Sequence, residues 1–175
     1  MFDQIKEFFR VLGELKYLIP VLRYKFPDLE DNASLAHSFQ DTSAKFPDRP
    51  FLYFENEDWT YDRTNKAANA LARYLKKTGV NHGDRIVLFM ENRPSFVVSL
   101  LALNKIGAIA VLINTSLTGD PLIHCINSSD SIKCIFGAER IQPLEDVLDK
   151  INISKQEDFL LVEDTSKYSL PNWAI

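Results

Sequence analysis

The 175 residues are 46% hydrophobic and 25% charged, with a formal charge of −4; that composition can bury a core and is not one of disorder. The charge is uneven, because residues 1–25 hold five Lys/Arg and three Asp/Glu and the remainder fifteen against twenty-one, and no basic stripe interleaved with aromatics marks a nucleic-acid surface. Cys125 and Cys134 are too few for a disulfide framework and read as small packed side chains of a reducing compartment, while six glycines leave little for a glycine-rich phosphate loop.

Residues 1–26 place Phe2, Ile5, Phe8, Phe9, Leu12, Leu15, Ile19 and Leu22 at spacings of three and four with charges between, an amphipathic helix bent or broken at Pro20. Its longest uncharged run, Tyr17 to Leu22, falls well short of the roughly 20 apolar residues of a membrane span. Asp3, Glu7 and Glu14 interrupt what a signal peptide leaves apolar. Two readings stand: a helix docked on its own protein, or one lying in a membrane interface through Phe2, Ile5, Phe8, Phe9 and Leu12, with Lys6, Arg10, Lys16, Arg23 and Lys25 favouring that placement. The appendage is expected to end at residue 26 and the main α/β domain to run over 27–175.

After the acidic connector Pro27 to Asn32, a helix is expected over Ala33 to Lys45 with Leu35, Phe39 and Ala44 on its apolar positions, stopped by Phe46-Pro47-Asp48-Arg49-Pro50. Phe51 to Glu55, the turn Asn56-Glu57 and Asp58 to Thr60 read as an antiparallel hairpin at a sheet edge. Thr60 can cap the next helix, which Gly79 ends. Then come Arg85 to Met90 and Ala108 to Ile113, two nearly continuous apolar runs that read as parallel strands deep in a sheet and covered on both faces. Between them, Pro94 suits a first helical turn and Gly107 the position past the helix end. Asp120-Pro121 is expected to open a short helix with a capping carboxylate and proline at its first position. Ile132 to Phe136 is a third strand closed by Gly137. Ile141, Leu144, Val147, Leu148 and Ile151 outline a further helix, and Phe159 to Val162 a fourth strand. Such alternation predicts an α/β fold: an open, mostly parallel sheet with helices on both faces.

Ligands of such sheets sit beyond the carboxyl ends of the strands, which directs attention to Glu91 to Arg93, Asn114 to Gly119 and the turn after Gly137. None holds a recognised catalytic set. Neither G-x-G-x-x-G nor G-x-x-x-x-G-K-[ST] occurs, and His37, His82 and His124 are too scattered for a metal motif. His124 and Cys125 are sequence neighbours that point about 100 degrees apart on a helix, so they read as a partly buried imidazole and a packed thiol rather than a nucleophile with its base. Asn92 either caps the helix after the first strand or contacts a ligand; Asn114 and Thr115 either order their loop or do the same.

The stretch Trp59 to Gly137 closely resembles the N-terminal region of AMP-forming acyl-CoA synthetases. The general pattern is carried by Asn69, Leu71-Ala72, Gly79-Val80, Gly83-Asp84-Arg85-Ile86 and Gly107-Ala108 before Asn114. Glu91-Asn92-Arg93-Pro94-Ser95-Phe96, Leu112-Ile113-Asn114-Thr115 and Asp120-Pro121-Leu122-Ile123-His124-Cys125-Ile126 look most like the fatty acid transport protein, or very-long-chain acyl-CoA synthetase, branch. That branch usually has Asn and Arg where this chain has Ser116 and Thr118. The resemblance implies an incomplete N-terminal subdomain of that fold, lying before the Ser/Thr/Gly-rich ATP loop. It implies a full enzyme that activates long-chain or very-long-chain fatty acids with ATP, magnesium and coenzyme A, linked to fatty acid uptake, and the chain alone is expected to be inactive. Asn92, Asn114, Thr115 and His124 become candidate acyl-pocket or loop contacts, with no catalytic, cofactor or metal residue in the chain. Location on the cytosolic face of the endoplasmic reticulum or plasma membrane is implied as well. The alternative is a non-enzymatic lipid- or protein-interaction module on the same fold.

Overall fold

The computed structural model describes residue 23 and residues 34–153, 155–164 and 171–175. The expected helix of residues 1–26, with Phe2, Ile5, Phe8, Phe9 and Leu12, lies outside the described residues. Among the described residues no helix is long and apolar enough to cross a membrane. Residues 34–175 form one compact unit.

Ser34 opens helix α1 (Leu35–Lys45), its hydroxyl accepting from the His37 N–H at 3.1 Å. The buried face is Ala36, Phe39 and Ser43, not the expected Leu35, Phe39 and Ala44; Leu35 is 58% exposed. A tertiary bond accompanies that rotation, since Asn104 Oδ1 accepts from the Ala36 N–H at 2.8 Å. Strands β1 (Pro50–Phe54) and β2 (Glu57–Thr60) form the expected antiparallel hairpin, turned through Glu55 at φ +53°. The pair is a two-stranded sheet of its own rather than the edge of the larger one. Its Phe51 and Trp59, with Tyr61 beyond, pack on Phe39, Ala68, Val98 and Leu101.

Helix α2 (Tyr61–Lys77) starts where Thr60 Oγ1 accepts from the Arg63 N–H at 3.1 Å and ends before Gly79, whose φ of +90° suits glycine. Strand β3 (Arg85–Phe89), helix α3 (Pro94–Lys105) and strand β4 (Ile109–Leu112) follow as expected. Helix α4 (Gly119–Ser128) begins one residue earlier than Asp120; its cap is Thr118 without a side-chain bond, so Asp120 does not cap and Pro121 is not first. After β5 (Lys133–Gly137) the expected helix over Ile141 to Ile151 is broken into α5 (Ile141–Glu145) and flanking 3-10 turns at Ala138–Arg140 and Leu148–Lys150. Turns satisfy the same spacing, and Leu144, Val147 and Ile151 are still buried. Strand β6 (Phe159–Val162) completes the series.

The large sheet is parallel throughout, in the order β4-β3-β5-β6. Strand β3 is interior, as its apolar run demands, but β4 is an edge strand, with Ile109 47% and Leu112 55% exposed. Apolar letters alone do not distinguish an interior strand from an edge one; here β5 has taken the other side of β3. Alternation along the strands separates two cores. Ile86, Leu88, Met90, Ile135 and Leu160 face Ala72 and Leu75 of α2 and Ala102 and Leu103 of α3. On the opposite face, Val87, Phe89, Cys134, Phe136 and Phe159 meet Leu122 and Ile126 of α4 and Leu144 and Val147. Burial pushes the Cys134 thiol well above its ordinary range, which makes it an inert packing group, whereas Cys125 is only half-buried instead of packed away. Ile175 exchanges two backbone hydrogen bonds with Phe159 and Leu161 along the outer side of β6, and Trp173 stacks on Phe136 at 5.2 Å.

Candidate functional site

The connection from β3 leaves through α3 towards β4, while that from β5 leaves towards β6 on the opposite face, so adjacent strands β3 and β5 send their loops apart. That divergence is the switch point at which open α/β sheets form a crevice. Here charged side chains fill it. Glu139, at the end of β5, accepts from the Glu91 backbone N–H at 2.9 Å and from Arg93 Nη1 at 2.8 Å. Arg93 Nε stands 2.9 Å from Asp164 after β6 without the alignment of a hydrogen bond, and Ser95 donates to the same carboxylate. Arg140 Nη2 reaches Glu91 Oε1 at 2.5 Å and Nη1 the Thr115 carbonyl at 2.6 Å.

The side chains of Arg93, Glu139 and Arg140 are largely out of water, at 9%, 11% and 17% exposed, whereas Asp164 and Glu91 are 28% and 58% exposed. Burial is the strongest influence on Glu139 and opposes its ionisation, but the hydrogen bonds from the Glu91 N–H, Arg93 and its own N–H, with the charge of Arg93, together outweigh it. They hold the carboxyl below its ordinary value. Gly137 makes room for the pair: a Cβ there would stand 2.3 Å from Arg93 Nη2 and 2.4 Å from both Glu139 oxygens.

Beside this cluster, over the carboxyl ends of β3 and β4, lies an open cleft of about 550 Å³ lined by Met90, Glu91, Asn92, Phe96, Leu112, Ile113, Asn114 and Thr115. Met90, Phe96, Leu112 and Ile113 supply apolar surface and Asn92, Asn114 and Thr115 polar groups. Three of the four expected contact residues are thus brought together; His124 is exposed on α4 and is not among the lining residues. Asn92 caps nothing, because the position before α3 is Arg93 and no side chain bonds there. Asn114 does order its loop, Oδ1 accepting from the Ser116 N–H at 2.9 Å.

The ionic cluster was missed by motif reasoning, although a signal existed in Glu91-x-Arg93 and Glu139-Arg140 at the carboxyl ends of two strands. Among the described residues no group of three His, Cys, Asp or Glu is arranged to hold a metal ion. The strand-end carboxylates Glu91, Glu139 and Asp164 are turned to guanidinium groups. The described strand-end carboxylates therefore do not fit a magnesium site.

The AMP-binding enzyme family matches residues 39–172. Long-chain fatty acid transport protein 6 of Mus musculus is 27% identical over 143 residues, which cover 81% of this chain and 23% of that protein. The medium/long-chain-fatty-acid–CoA ligase FadD6 of Mycobacterium tuberculosis is 32% identical over 140 residues, 78% of this chain and 23% of its own. The inhibitor-bound N-terminal domain of FACL13 from Mycobacterium tuberculosis superposes with a TM-score of 0.65 at 26% identity, over 74% of this chain and 33% of that one. The chain thus spans about a quarter of the length of these curated relatives.

Proposed function

The chain belongs to the AMP-binding enzyme family, and on that premise we propose that it is the N-terminal part of an AMP-forming ligase that joins long-chain fatty acids to coenzyme A. The observation that carries this reading is the cleft: an apolar floor of Met90, Phe96, Leu112 and Ile113 with Asn92, Asn114 and Thr115 at its polar positions, at the carboxyl ends of parallel strands. Such a surface suits an aliphatic chain by burial of apolar area and leaves amide and hydroxyl groups for a polar end. In this proposal Asn92, Asn114 and Thr115 are acyl-pocket contacts, and ATP, magnesium and coenzyme A are held by residues other than these. Photo-crosslinking with a diazirine-bearing fatty acid and peptide mapping tests the cleft. Label on the peptides holding Phe96 and Leu112 is expected, and label confined to other peptides would sink the assignment.

The same proposal makes the 175-residue chain inactive by itself, since its strand-end crevice is filled by ion pairs and its sequence has no phosphate loop. Pyrophosphate release with ATP, coenzyme A and palmitate is expected to stay at background. Turnover would show that the nucleotide-handling groups are present after all. The filled crevice also favours a second reading, an interaction module without adenylation, which gains if fatty acid fails to label the cleft. A link to fatty acid uptake and a membrane-associated location, on the cytosolic face of the endoplasmic reticulum or plasma membrane, belong to the proposal through residues 1–26. Vesicle flotation should be lost when the chain is started at Pro27, and unchanged flotation would remove that segment's role.

A further inference from the structure

We propose that Arg140 is the positioning residue of the cleft, a guanidinium fork that ties its two walls together from outside the cavity. The proposal deepens the acyl-pocket reading and names a residue that no motif marks. Arg140 is absent from the cleft lining, yet it bonds Glu91 on the β3 side and the Thr115 carbonyl on the β4 side. It starts from the turn after β5, so in the order β4-β3-β5 it must reach across the end of β3. With strands about 4.8 Å apart, that is roughly two strand spacings, within the span of an extended arginine, and the guanidinium carbon passes 5.9 Å from the Phe89 ring centroid. The side chain is 17% exposed and that of Glu91 58%, so the guanidinium is shielded and its bond to the Thr115 carbonyl is partly buried, while the Glu91 end of the tie is open to water. Its fork can hold a carboxylate and a carbonyl at once, a geometry that a lysine ammonium does not fix. Glu139 adds a second tie from the same turn, through the Glu91 N–H. Residues 139 and 140 together hold the β3 loop, and Arg140 reaches the β4 loop as well.

The reporters are the amides of Ser116 and Leu117, bonded to Asn114 Oδ1 and to the Asn114 carbonyl. In Arg140→Ala, hydrogen exchange at these two amides should accelerate, while amides of α2 stay protected. Binding of palmitate by the 175-residue chain should weaken roughly tenfold, the loss expected for one charge-assisted contact acting on the site. Lys133→Met is the control, because it breaks the buried pair with Asp158 at the opposite end of β5. It is expected to lower the melting temperature without touching either readout. Unchanged exchange at Ser116 and Leu117 in Arg140→Ala overturns the proposal, as does equal acceleration in Lys133→Met, which would mark Arg140 as merely structural. Full rescue by Arg140→Lys would also overturn it, since the fork would then be unnecessary. If the parent chain binds no palmitate, the acyl-pocket reading fails, and the exchange readout alone decides the role of Arg140.

Discussion

A Cβ at Gly137 would stand 2.3 Å from Arg93 Nη2 and 2.4 Å from the Glu139 carboxylate oxygens, so a side chain here is opposed by the ion pair that crosses above it and not by its backbone angles. Gly137→Ala must push the Arg93–Glu139 pair aside. A cost of about 1–3 kcal/mol is expected for such overpacking, read as a lower urea midpoint with unchanged slope; full stability would mean the pair relocates freely. Glu139 itself couples the cluster to pH. Its folded-state value lies below the ordinary 4.5, so its contribution to stability is fully present above about 4.5 and disappears as the pH falls through the lower folded value. Thermal melts should therefore show the parent chain losing stability in that acid window. Glu139→Gln should be less stable at neutral pH and flatter below, and a variant with an unaltered acid slope would remove Glu139 from the account.

Helix α1 illustrates how elements are fixed by neighbours as much as by their own letters. Ser34 caps it locally, but Asn104, on α3 and 68 residues away, accepts from the Ala36 N–H. Asn104→Ala leaves that partly buried donor without its partner and is expected to cost about 1 kcal/mol, with faster exchange confined to α1. Exchange that rises equally in α2 would show a global effect instead. Thr60 and Pro94 were legible in the sequence because caps and first-turn prolines act within a few residues. The apolar run of β3 was legible because interior parallel strands need no alternation. The face of α1, the edge position of β4 and the broken segment after Gly137 were not, since each depends on a partner distant in sequence. The same holds for the site: Asn114, Thr115 and Arg140 all follow strands in the sequence, but the partners that Arg140 reaches became visible only once β5 lay beside β3.

At the scale of the whole molecule, the sheet presents β4 as an edge whose outer backbone groups have no partner among the described residues, with Ile109 and Leu112 exposed on it. Open parallel edges with apolar side chains recruit further strands unless a charge interrupts them. Residues Ile109, Ala110, Val111 and Leu112 carry none. The 175-residue chain should accordingly self-associate with rising concentration, and Ile109→Lys should suppress that association in light scattering while the melting temperature falls little, because Ile109 is already half in water. The position also separates two roles of the strand. Ile109 stands at the amino end of β4, paired with Arg85, whereas the cleft is built from Leu112, Ile113 and the loop beyond. A lysine at residue 109 should thus leave fatty acid labelling of the cleft intact. Loss of labelling together with self-association would instead show that the acyl surface is completed by a second copy of the chain across the β4 edge.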